Sequence, residues 1–131
     1  MEIKEVINRQ ISEAREVYLT FKHLSEEEQE LFLAISLDTK NRIIKAHLSS
    51  IGTLNKTIIH PRDIFREAIR DNADGIILIH NHPSGDCNPS KEDIEVTKKL
   101  IGVGKFLDIK ILDHVIIGKE KWWSYNKERK E

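Results

Sequence analysis

The sequence contains a single cysteine, Cys87, among 131 residues. An internal disulfide is therefore excluded, and the chain suits a reducing, cytoplasmic setting. Net charge is also scarce: 21 Lys and Arg against 22 Asp and Glu leave −1. That balance gives no strong electrostatic case for nucleic acid or an anionic membrane, although it leaves room for a local basic patch. Long apolar runs are missing too. The strongest, LFLAIS and GIILI, fall far short of the ~20 residues that span a bilayer. The opening stretch MEIKEVINRQ holds no apolar core of signal-peptide type. No internal repeat or low-complexity segment occurs. A membrane partner is not expected, and the oligomeric state is left open.

Hydrophobic residues make up 39% of the chain and cluster in runs, enough for one compact core in a single domain over residues 1–131. Ile3, Val6, Ile7, Ile11, Ala14, Val17 and Tyr18 recur at helical spacing, which predicts an amphipathic helix over 3–22, with residues 1–12 as a helical extension. Ser25 and Glu28 have capping-box spacing for a short helical turn. ELFLAISLD and RIIKAHLSS flank the turn TKN and predict a hairpin. His60-Pro61 opens a helix whose buried face is Ile64, Phe65, Ala68 and Ile69. GIILI is expected as a central strand. Ser90 opens a further helix with Ile94, Val96, Thr97, Leu100 and Ile101 inward. FLDIKIL, HVIIG and a short KWWSYN follow as strands, and 126–131 as a frayed tail. The order α-β-β-α-β-α-β-β predicts an α/β or α+β fold with helices packed on a sheet.

The chemistry concentrates in HNHPSGDCNPSKED. His80 and His82 are two apart at the end of an apolar strand, so both rings project to one side. Two imidazoles so placed can converge on one metal ion. Pro83 and Gly85 then turn the chain, and Asp93 falls one helical turn past Ser90, where the helix dipole favours an anion. Two histidines and a carboxylate leave a fourth position for water, the pattern of a catalytic zinc site. Blander readings exist for each part. A lone histidine at a strand end is ordinarily a polar edge. Ser90 and Asp93 alone fit a capping box, S-x-x-D, and this competes with ligation, since one oxygen cannot serve both the cap amide and a metal. Asp86 is an alternative acid, ranked lower because it lies in the loop. A ββα-metal nuclease is discounted, because there the letters HNH name dispersed residues.

His80-x-His82, seven residues, then Ser90-x-x-Asp93 resembles the JAMM motif of MPN-type metallohydrolases. HNHPSGDCNPS, with IGTLN upstream and LDHVIIG downstream, is similar to the RadC family over about residues 13–125. The resemblance implies a three-layer MPN fold of cytidine deaminase type, with a mixed central sheet flanked by helices. It implies Zn2+ held by His80, His82, Asp93 and a water. It also implies a glutamate upstream of the histidines. Glu30 matches best, with Glu27 and Glu28 close by in EEEQE. In this reading Glu30 is the general base and Ser90 donates to the oxyanion. The implied reaction is hydrolysis of a peptide or isopeptide amide, with a peptide or protein as substrate. RadC-like proteins often carry an N-terminal helix-hairpin-helix segment. None is expected here, so the family's association with DNA repair is expected to transfer poorly. A DNA repair factor and a non-catalytic MPN interaction module stand as alternatives.

Outside the motif, His114 is expected to be structural, with a place behind the site as the alternative. Cys87 is expected to be an ordinary exposed residue, with a ligand or redox-sensitive thiol as alternatives. At least one ring of Trp122-Trp123 is expected to pack on the core. His23, His47 and His60 show no convergent partners.

Overall fold

The computed structural model describes residues 6–52 and 59–128. Its centre is a five-stranded mixed sheet. Strands β1 (Leu31–Leu37) and β2 (Ile43–Ile51) form the expected hairpin, β3 is Gly75–Asn81, β4 Lys110–Ile117 and β5 Trp122–Ser124. Their spatial order is β2-β1-β3-β4-β5. Only the β3–β4 pair is parallel, and the α-helix α3 (Lys91–Leu107) provides its crossover.

The period-two alternation of the strands sorts side chains into two cores. Leu33, Ile35, Ile77, Ile79, Val115 and Ile117 meet Val17 and Phe21 of helix α1 (Ala14–Phe21) and Leu24 of the following 3-10 turn. Phe32, Ala34, Ile76 and Leu78 meet Ile64, Phe65 and Ala68 of helix α2 (Pro61–Arg70), and Val96 and Leu100 of α3. Helices thus cover both faces, giving the three layers of an MPN fold. No helix among the described residues is long and apolar enough to cross a membrane.

Several expected boundaries move. The helix expected over 3–22 is confined to Ala14–Phe21, and residues 1–5 lie outside the described residues. Residues 8–11 instead run beside the start of β2. Asn8 N–H donates to the Ile43 carbonyl, Ile43 N–H to Arg9, and Ile11 N–H to Asn41. Val6 and Ile11 are buried all the same, so the helical spacing reflected core positions reached by non-helical chain. Ser25 opens no helix; it sits inside the 3-10 turn Lys22–Glu26. Ile69 faces outward, 55% exposed.

FLDIKIL and HVIIG are not two strands. Phe106 and Leu107 complete α3, which Asp108 ends in the left-handed conformation, φ 63°. Lys110–Ile117 then runs unbroken, with a register shift that leaves Leu112 between the pairs Ile76–Ile111 and Ile77–Asp113. Asp113 is tolerated within this strand because Ser124 Oγ and the backbone N–H groups of His114 and Asn126 all donate to its carboxylate. Burial still raises its pKa, against those bonds. The expected frayed tail begins inside a short helix, α4 (Tyr125–Glu128), and residues 129–131 lie outside the described residues.

Candidate metal centre

Three elements converge at the carboxyl end of β3. Ile76, Leu78 and His80 share the α2/α3 face, and His82 continues their alternation past the strand end. Its N–H donates to the Ile117 carbonyl at 3.0 Å, extending the pairing with β4. The chain then reverses through Gly85, whose φ of 93° suits glycine. This loop docks against Gly118. A Cβ there would lie 2.5 Å from the Gly85 carbonyl oxygen and 3.1 Å from Cys87 Cβ, so only hydrogen leaves room. Cys87 is half-buried against this contact, and burial pushes its thiol pKa up, away from the reactive range.

Asp93 comes from the first turn of α3 and is 1% exposed. The capping box is present: Ser90 Oγ accepts from Asp93 N–H at 3.0 Å, and Asp93 Oδ2 accepts from Ser90 N–H at 2.8 Å. Capping and approach to the histidines nevertheless coexist, because Oδ2 faces His82 while it holds the cap amide and Oδ1 is left to His80. Oδ1 is 3.2 Å from His80 Nε2, and Oδ2 is 3.2 Å from His82 Nε2. The two Nε2 atoms are 3.1 Å apart.

The chemistry of this donor set fits a cation. His82 Nδ1 is 2.8 Å from the Asp86 backbone carbonyl, which can only accept. The ring proton of neutral His82 therefore sits on Nδ1, and Nε2 turns a lone pair toward His80 and Asp93. Ligands about 2.0–2.1 Å from one tetrahedral ion lie about 3.3–3.4 Å from each other. The observed spacings of 3.1–3.2 Å are close to that edge. Without a cation, protons take its place. Burial alone would lower the His82 pKa, but Asp93, the Asp86 carbonyl and the charge of Glu30 carry it above the ordinary histidine value. Burial alone would raise the Asp93 pKa, but hydrogen bonds from His80 and His82 hold it far below the carboxylate range.

Glu30 immediately precedes β1. Alternation puts it on the face of Phe32, which is in register with His80. Its Oε1 is 3.9 Å from His80 Nε2, and the side chain is 22% exposed. Glu30, His80 and His82 present ligand atoms within 4.8 Å of one another, close enough to bind a metal ion.

Sequence reasoning gave no role to Asn81, the residue between the histidines. Its side chain projects to the opposite face and is fully buried. Oδ1 accepts from Leu31 N–H at 2.7 Å, and Nδ2 donates to the Gln29 carbonyl at 3.0 Å. These bonds bracket Glu30 and fix the segment that carries it. The Asn between two site histidines was the available signal, but its partners are 50 and 52 residues away.

His114 lies behind the site, fully buried, with Nε2 2.9 Å from His80 Nδ1 and Nδ1 2.5 Å from Thr97 Oγ1. Burial, and then the neighbouring His80, lowers its pKa well below the histidine value. Trp122 stacks on Tyr18 with centroids 4.9 Å apart, and Trp123 meets the edges of His114 and Tyr125. His47 is not isolated, since its Nε2 is 2.7 Å from Asp71 Oδ2. Thr53, Leu54 and Asn55 of the IGTLN segment lie outside the described residues.

The chain is 47% identical over 121 residues to a UPF0758 protein of Methanosarcina mazei, covering 92% of this chain and 53% of that protein. It is 50% identical over 102 residues to a UPF0758 protein of Chlorobium chlorochromatii, covering 78% and 46%. A UPF0758 protein of Caldanaerobacter subterraneus subsp. tengcongensis is 50% identical over 115 residues, covering 88% and 45%. The chain thus spans about half the length of the curated relatives it matches. The RadC-like JAB domain family matches residues 11–130, nearly all of the chain that builds the sheet and the His80–His82–Asp93 cluster, and the chain belongs to that family.

Proposed function

We propose that this chain is a zinc-dependent hydrolase of the JAMM type that cleaves a peptide or isopeptide amide. The observation that carries the reading is the convergence of His80 Nε2, His82 Nε2 and the Asp93 carboxylate within 3.2 Å of one another, with Glu30 beside them. His80, His82 and Asp93 are the residues that would hold the ion. A zinc ion held there would supply Lewis acidity, acidifying a water and polarising the scissile carbonyl.

The remaining work belongs to the chain. The Glu30 carboxylate is partly exposed and anchored from behind by Asn81. It takes the proton from the attacking water and returns it to the departing nitrogen. Ser90 uses Oγ to accept from Asp93 N–H, which leaves its O–H free to donate to the carbonyl oxygen as negative charge builds there. The α3 dipole adds favourable potential for Asp93 at the same end. The amide preference and the zinc identity come from the family. The single cysteine is consistent with work in the cytoplasm.

The test is Glu30→Gln, measured by metal content and by cleavage of an amide substrate. Zinc is expected to remain stoichiometric while turnover falls about 10²–10⁴-fold. Full activity in this variant would remove Glu30 as the base. A wild-type protein that took up no zinc would favour a non-catalytic interaction module, and salt-dependent affinity for DNA would favour the repair reading.

A further inference from the structure

Both site histidines aim the same nitrogen, Nε2, at the same place. For His82 the cause is local, because a backbone carbonyl holds its Nδ1–H. His80 has no such carbonyl. Its Nδ1 meets another histidine, His114, at 2.9 Å, and two neutral imidazoles can pair in either direction.

The direction is decided further back. Thr97 lies one turn along α3 from Asp93, and its hydroxyl donates to the Asp93 backbone carbonyl at 2.8 Å. A carbonyl can only accept, and a hydroxyl has one proton. With its proton on the Asp93 carbonyl, Thr97 Oγ1 accepts from His114 Nδ1–H. A neutral imidazole carries one N–H, so His114 Nε2 presents a lone pair. His80 Nδ1–H donates to it, and His80 Nε2 is left with its lone pair facing the site. His114 and Thr97 are fully buried and His80 is 1% exposed. Among the described contacts of the His114 ring nitrogens there is no carboxylate, so an imidazolium there would be a buried charge with no counter-ion against it. The chain of bonds closes on one residue: the Asp93 carbonyl starts it, and Asp93 Oδ1 lies 3.2 Å from the nitrogen at its end.

We propose that Thr97 and His114 are positioning residues that fix His80 in its Nδ1–H tautomer, through a one-directional hydrogen-bond chain from the Asp93 carbonyl to His80 Nδ1. The proposal deepens the metal reading and rests on it for its purpose, but the wiring can be read without metal. It needs no proton transfer along the chain; the bonds set orientation and lone-pair direction only.

The experiment is a two-bond ¹H–¹⁵N correlation spectrum of the histidine rings in the metal-free and zinc-loaded protein, paired with zinc titration. His114 is expected as the Nδ1–H tautomer in either state, and His80 as the Nδ1–H tautomer in the zinc-loaded protein. Thr97→Val keeps the side-chain shape and removes the hydroxyl. It is expected to release the His114 tautomer and weaken zinc binding by about 10–100-fold, the usual effect of losing a partner behind a ligand. Thr97→Ser is expected to restore both. An Nε2–H tautomer at His114 in either state, or at His80 in the zinc-loaded protein, would overturn the proposal, as would Thr97→Val with unchanged spectra and unchanged zinc affinity. If the wild type bound no zinc, the metal reading would fall, while the His114 tautomer would still decide the wiring.

Discussion

Two regions of this molecule pair histidine with carboxylate, and they do so differently. On the edge strand β2, His47 Nε2 lies 2.7 Å from Asp71 Oδ2 at the end of α2, with Glu67 3.9 Å from its other nitrogen. That is an ordinary charge-assisted hydrogen bond, one proton shared by two atoms. At the carboxyl end of β3, the His–Asp spacings open to 3.2 Å, and a second histidine joins at 3.1 Å. The outer nitrogens are held there, by the Asp86 carbonyl and by His114. The contrast shows what separates a structural pair from a candidate metal centre. Residue types are the same in both; the difference lies in the number of donors around one point and in the anchoring of each ring from behind.

The comparison can be broken most sharply at Asp93. Asp93→Ala is expected to abolish stoichiometric zinc, read by elemental analysis after dialysis. It should also cost about 1 kcal/mol at the helix start, since the capping box goes with it. Next comes Asn81→Ala. Zinc should stay, but the Leu31 amide and Gln29 carbonyl lose their buried partner, lowering unfolding free energy by about 1–3 kcal/mol. Turnover is expected to fall through a looser Glu30, so kcat should drop with metal content unchanged.

The pH dependence should distinguish the regions further. The His82 pKa is raised, so in the metal-free protein its proton is held to higher pH than that of a free histidine, about 6.5. Zinc must displace that proton. Zinc affinity is therefore expected to weaken as pH falls, beginning above 6.5, in a titration followed by calorimetry. Affinity that stayed flat down to pH 5 would contradict this. The smallest effect is expected at the edge: His47→Gln should leave zinc binding unchanged and shift unfolding free energy by about 1 kcal/mol or less, because the pair is only partly buried.

Much of the site was legible because it is local. His80 and His82 share a face by strand period, and Asp93 follows a cap by one turn. A sheet with helices packed on it was legible from apolar runs of strand length alternating with helical spacing, and the three layers were implied by the family resemblance. Other features depend on partners remote in sequence. Asn81 acts on backbone 50 residues away, and the role of His114 depends on Thr97 of a different element. The N-terminal stretch was misread because Val6 and Ile11 are core residues at helical spacing, while the backbone between them, at Asn8 and Arg9, bonds to Ile43 at the start of β2. Tertiary pairing outweighed local pattern there. The expected boundary between FLDIKIL and HVIIG falls at Asp113, whose carboxylate three donors hold inside one strand.

Gly118 sets where this site can vary. The loop after His82 is seated by a position that has no side-chain carbon, against the Gly85 carbonyl and Cys87. Any replacement at 118 would lever the loop outward, and the Asp86 carbonyl that orients His82 would move with it. The outward-facing Pro83, Ser84 and Asn88 carry no such restriction, being exposed. Diversification by library or by drift therefore has its freedom on the outer rim of the loop, and the hinge beneath it is closed to change.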